Sequence, residues 1–201
     1  MSKKKPPLKV MISSSVYGAQ DLLRQIDASL RSYGYQVICS PMGSVAANPA
    51  LSNLDNCLNA VAECDVFIGF IRPLYGSGKN SSDAMSITHM ELEKAIELKK
   101  PRWMLAHSSV VSMRKLLKSV FFDDKGKRNA VAFKPVKGFF DDLRVIEMYE
   151  RAADSNNPVV WSKRTNHWVQ EYHYDSEALS YIDEQFNDIK RVADYFKPAG
   201  K

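Results

Sequence analysis

The chain has 201 residues, 45% of them apolar, three cysteines and a formal net charge of +5. That length suits one domain with a real core, and the absence of any run of about 18 apolar residues excludes a membrane-spanning helix. The basic residues include two short runs, Lys3 to Lys5 and Lys125, Lys127 and Arg128, with no nucleic-acid motif beside them, so they read as solvated surface and a dedicated nucleic-acid binder is not expected.

The N-terminal stretch Met1-Ser-Lys-Lys-Lys-Pro-Pro7 is charged and meets an apolar strand directly, which does not match a secretory signal. Cys39, Cys57 and Cys64 are odd in number and lack metal-ligand spacing, which fits a reducing, cytoplasmic location. Leu8 to Ser13 reads as a buried strand. Leu22, Leu23, Ile26, Leu30 and Tyr33 then recur at three- and four-residue steps, a helix that Gly34 ends. Tyr35 to Cys39 is a second strand, and Ser40 to Pro49 a polar loop. Leu54, Leu58, Val61 and Ala62 mark a second helix with Ser52 as its cap. Val66 to Ile71 is apolar throughout, as in a strand covered on both faces. A third helix spans roughly 88–99. Pro101 to Ala106 gives a fourth strand, and Met113, Leu116 and Leu117 a fourth helix.

Beyond residue 120 the pattern weakens. Asp123 to Arg128 reads as a turn or loop, Asp141 to Ala153 as a helix, Pro158 to Trp161 as a short last strand, and Ser176 to Phe196 as one long final helix. Regular alternation of strand and helix implies βαβ units. The expected architecture is an α/β flavodoxin-like parallel sheet of about five strands in the order 2-1-3-4-5, helices on both faces. The expected organisation is a basic tail over 1–7, an α/β unit over 8–120, and a C-terminal completion of the same domain over 121–201.

Open α/β sheets place ligands at the C-terminal ends of their strands. Strand one ends in Ser13-Ser14-Ser15-Val-Tyr17-Gly, where hydroxyls and free N–H groups suit a ribose or phosphate, although the serines could equally cap the next helix. No Gly-rich dinucleotide fingerprint or Walker lysine accompanies them. Strand three carries Gly69 for close backbone approach and leads to Arg72 for an anion, Tyr75 for a base, and Ser77. Glu91 follows in the first turn of the third helix. Thr88 and Glu91 also fit a capping box, a purely structural role. His89 precedes Glu91 by two, so the pair cannot share a helical face. His107 ends strand four and faces the same crevice, His167 and His173 lack metal spacing, and Asp83 is a candidate carboxylate in a loop.

Val10 to Gly18, Asn56 to Gly69, Arg72 to Ser77 and Ser86 to Glu91 resemble, in that order, the DUF4062 family, with fainter similarity at Phe140 to Tyr149 and Trp168 to Tyr172. The pattern is also similar to nucleoside 2-deoxyribosyltransferases and Toll/interleukin-receptor-like (TIR) domains, in which a helix-borne glutamate above a parallel sheet assists cleavage of an N-glycosidic bond in nucleosides or NAD. By that resemblance Glu91 is the matching residue. The aspartates that deoxyribosyltransferases also use have no assignable counterpart here. The resemblance implies a cytoplasmic N-glycosidase or (deoxy)ribosyltransferase-like enzyme, and at the level of the family a hydrolase of bacterial defence. It would take a nucleotide or NAD as substrate rather than any separate cofactor, and need no metal. Ser13, Ser14, Ser15, Tyr17, Gly69, Arg72, Tyr75 and Ser77 would line its substrate site. The alternative is a non-catalytic nucleotide-sensing or self-associating module, and self-association into a homo-oligomer is open in either case.

Overall fold

The computed structural model of the chain describes residues 6–15, 17–78, 84–121, 123–124, 127, 129, 134, 136, 139–154 and 157–196. The tail through Lys5, and Asp83, Lys125 and Arg128, lie outside the described residues. Strands β1 (Lys9–Ser14), β2 (Gln36–Cys39), β3 (Val66–Ile71), β4 (Arg102–His107) and β5 (Val169–Tyr172) form one sheet in the order β2-β1-β3-β4-β5. Every pairing is parallel, with Val10 opposite both Val37 and Val66, Gly69 opposite Met104, and Met104 opposite Val169. This is the flavodoxin-like order expected from the alternation of elements.

Seven helices flank the sheet among the described residues: α1 (Gln20–Ser32), α2 (Asn53–Glu63), α3 (Ile87–Glu97), α4 (Ser108–Phe121), α5 (Arg144–Ala152), α6 (Asp175–Phe186) and α7 (Ile189–Asp194). Side chains alternate faces along a strand. Met11, Phe67, Ile71 and Met104 therefore pack on one side with Val61 of α2, Leu92 and Ala95 of α3, Val110 of α4, and Val145 and Ile146 of α5. Val10, Ile12, Ile68 and Phe70 pack on the other with Leu22, Ile26 and Leu30 of α1, Ile182 and Phe186 of α6, and Val192 of α7. All six residues of β3 are buried, which accounts for its unbroken apolar run. None of the described helices is long and apolar enough to cross a membrane.

Three boundaries differ from the sequence expectation. The last strand is Val169–Tyr172, not the stretch from Pro158 to Trp161, where a 3₁₀ turn begins at Trp161. β5 is an edge strand of four residues with only Tyr172 buried, so it lacks an apolar signature. The final helix is broken at Asn187 and Asp188. The Asp188 carboxylate accepts from the Lys190 and Arg191 N–H groups at 2.9 and 3.1 Å and starts α7 afresh. Lastly, α5 begins at Arg144, because Asp142 is spent outside it on the Arg144 backbone and guanidinium.

Gly69 sits mid-strand in β3, where a Cβ would lie 2.5 Å from Met104 Cε and 2.9 Å from Phe67 Cε1. Gly69→Ala should therefore lower stability by about 1 to 3 kcal/mol, the usual cost of overpacking a filled core. Urea unfolding of both proteins measures this.

Candidate functional site

The β1 pleat explains how a carboxylate came to be buried here. Met11 faces the layer of helices α2 to α5. Ser13, two residues on, must face it too. Across that layer α3 presents Leu92 and Ala95 to the sheet, and Glu91 shares their stripe. Ser13 Oγ donates to Glu91 Oε2 at 2.5 Å. Cys57 of α2 lines the same cavity as Glu91. Glu91 is only 4% exposed. Burial pushes its carboxyl up to about 7, and the nearby Ser13 hydroxyl and Cys57 thiol only partly oppose that rise. The Cys57 thiol is pushed up to about 11 by its own burial and by the charge of Glu91.

Helix α3 does not start with a Thr88–Glu91 capping box. Its N-cap is Ser86, whose hydroxyl accepts from the His89 N–H at 3.3 Å. Glu91 thus lies beyond the first turn, and its carboxyl accepts from Ser13 instead. A cavity of about 440 Å³ adjoins Glu91. Its walls come from the end of β1 (Ser14, Ser15), the residues after β2 (Ser40, Pro41, Gly43), the start of α2 (Asn53, Asn56, Cys57), and Ser77, Ile87 and Thr88 ahead of and within α3. No lysine or arginine lines it among the described residues.

The sequence-selected residues separate into two groups. Ser13, Ser14, Ser15 and Ser77 gather at Glu91 or at its cavity. Arg72, Tyr75, Tyr17 and Gly69 do not line it. Arg72 is a brace: Nη2 donates to Gly18 O at 2.9 Å, Nη1 to Tyr172 Oη at 3.4 Å, and Asp175 lies 3.7 Å away. It ties the loop after β1 to β5 and α6. Tyr75 is 1% exposed and turned into the core. Its hydroxyl meets His89 Nδ1 at 2.6 Å, and the Arg144 guanidinium covers its ring. Burial pushes His89 down to about 4, so it remains a neutral partner for Tyr75 at neutral pH. Tyr17 is 58% exposed, and Gly69 is enclosed in the sheet. His107 pairs with Ser109 Oγ at 2.6 Å and packs edge-on to Tyr172.

Sequence reasoning missed Cys57, Asn53, Asn56, Ser40 and Thr88. The first three stand at the start of α2, and Asn56 is occupied there, accepting from the Asn48 N–H and donating to the Asn48 and Ser52 carbonyls. The available signal was positional, since the loop after β2 and the start of α2 also end at the C-terminal edge of the sheet. No group of three or more His, Cys, Asp or Glu side chains among the described residues could hold a metal ion.

A family model described as a domain of unknown function, DUF4062, matches residues 9–177. No curated protein matches the sequence. Among solved structures the chain is similar to a CMP N-glycosidase from Clostridium botulinum, at 14% identity and a TM-score of 0.43, over 88% of this chain and 98% of that one. It is also similar to a 2-desoxiribosyltransferase from Leishmania mexicana, at 15% identity and a TM-score of 0.41, over 72% of this chain and 97% of that one. Both likenesses are distant, and the activities named are those of the two proteins.

The Glu91 carboxyl makes stability depend on pH. Its pKa is raised in the fold from 4.5 to about 7, so its contribution is complete below pH 4.5 and is lost as pH rises through 7. Relative to Glu91→Gln, the parent protein should lose roughly 3 kcal/mol across that range. His89 acts oppositely, its contribution being present above 6.5 and lost as pH falls toward 4, but it is common to both proteins and cancels. Urea unfolding at stepped pH reads the difference, and parallel pH curves for the two proteins would contradict it.

Proposed function

The chain belongs to the DUF4062 family, and from that premise we propose that it is an enzyme acting on the N-glycosidic bond of a nucleotide-type small molecule, NAD included, by hydrolysis or by transfer. The observation that carries this reading is the buried Glu91 carboxyl at the wall of a cavity of about 440 Å³, anchored by the Ser13 hydroxyl. The volume falls within the ordinary range for small-molecule sites.

The chemistry needs a carboxylate at that place. As the C1′–N bond breaks, its electrons leave with the base, which takes up a proton. The sugar becomes oxocarbenium-like, and a fixed negative charge stabilises it. Water, or a second base in transfer, then bonds to C1′ and gives up a proton. Glu91 could act through its charge alone or attack C1′ and form a glycosyl intermediate. With its pKa near 7, both protonation states are populated at neutral pH. Ser13 fixes the carboxyl so that it need not reorganise as charge develops. Ser14, Ser15 and Ser77 supply the polar wall for sugar or phosphate oxygens.

The experiment is a panel of nucleosides, nucleotides and NAD, with chromatographic detection of free base. Turnover in the parent should fall at least about 100-fold in Glu91→Gln. Ligand binding should persist, because a group acting in the transition state adds little to ground-state affinity. Equal turnover by both proteins would remove Glu91 from the mechanism. Tight binding with no product by the parent would favour the sensing module.

A further inference from the structure

The polar groups at one corner of the Glu91 cavity are arranged for an anion. Ser15 is 4% exposed, and its Oγ has no hydrogen-bond partner among the described residues although the residue lines the cavity. A buried hydroxyl without a partner is uncommon, and it leaves this donor available to a molecule in the cavity. Beside it, Gly76 has a φ of +95°, and a Cβ there would stand 3.4 Å from Ser15 Cβ and 3.6 Å from Thr88 Oγ1. Ser15 and Thr88 therefore stand close together, both beside Gly76. Thr88 is the second residue of α3. At this helix start the Ile87 N–H is taken by Ser77 O and the His89 N–H by Ser86 Oγ, whereas no acceptor among the described residues takes the Thr88 N–H. The corner thus combines a free backbone donor at the positive end of an eleven-residue helix with two hydroxyls.

We propose that this corner holds the phosphate of a nucleoside monophosphate, bound by the Thr88 N–H, the Thr88 hydroxyl and the Ser15 hydroxyl. The proposal rests on the N-glycosidic reading above and narrows its substrate to one phosphate. Three donors and a helix end suit a single phosphate group. A diphosphate or NAD would put further negative charge into a cavity whose described lining has no lysine or arginine and does include Glu91. The volume, near the lower end of the range of about 300 to 1,000 Å³ for ligand cavities, points the same way.

The test is calorimetric binding of the four common ribonucleosides, their 5′-monophosphates and 5′-diphosphates, and NAD. Parent protein, Ser15→Ala and Thr88→Val are compared, the valine keeping the threonine's shape without its hydroxyl. At least one monophosphate should bind more tightly than its parent nucleoside, its diphosphate and NAD. Each variant should weaken that monophosphate about tenfold, the scale of one hydrogen bond to a charged group, and leave the nucleoside unchanged. The assignment is overturned if no monophosphate binds, if NAD or the diphosphates bind as tightly, if neither variant weakens the monophosphate, or if both weaken nucleoside and monophosphate alike. Base release is scored separately. A monophosphate that binds as expected but yields no base defeats the enzymatic reading and leaves this site standing, while base release without phosphate preference does the reverse.

Discussion

The bond from Ser13 to Glu91 is the constraint on which the site depends. It joins the C-terminal end of β1 to α3 across a layer that is otherwise apolar. An isolated charged carboxylate in such a layer would cost far more than a typical domain's stability margin, so the group either finds donors or keeps its proton. Here it does both in part. Ser13 donates to it, yet burial still outweighs that bond and holds the pKa near 7. A carboxyl that is nearly fully buried, partly protonated and open to a cavity is destabilising above neutral pH. Such strain is retained where chemistry uses it.

The surroundings keep that carboxyl in place. Tyr75, His89, Asp141 and Arg144 pin the segment leading to α3 and the first part of the helix itself, with the Tyr75 N–H donating to Asp141 at 2.8 Å and its hydroxyl meeting His89. Arg72 pins the other side by holding the Gly18 carbonyl against Tyr172 and Asp175. These residues line no part of the Glu91 cavity, but they position the two segments, Ser13 to Ser15 and Ser86 to Glu91, that form much of its wall. Their work is preorganisation, which sets the geometry in which a fixed charge can act.

Much of this was legible in the sequence. The apolar runs of β1 and β3 and the periodicity of α1 and α2 gave the sheet order. Their positions at the strand ends gave Glu91 and the serines. What was not legible has physical reasons. A four-residue edge strand buries too little to display a pattern, so β5 was placed about ten residues too early. A capping box and Ser86 capping look alike in Ser86-Ile-Thr-His-Met-Glu91, and only the pairing of Glu91 with a residue 78 positions away separates them. Tyr75 and Arg72 have side chains able to bind ligand or to brace a fold. Their direction is decided by His89, Tyr172 and Gly18, which are distant or unremarkable in the sequence. Cys57 reads as one more core residue until α2 is seen lying against Glu91.

The central claim is that the fold holds Glu91 as a buried carboxyl poised to change charge at neutral pH. The most direct measurement is the ¹³C NMR titration of the Glu91 side-chain carboxyl in the intact protein, assigned by its absence in Glu91→Gln. The account predicts a midpoint near 7. A midpoint near 4.5, the ordinary value for a glutamate, would contradict it.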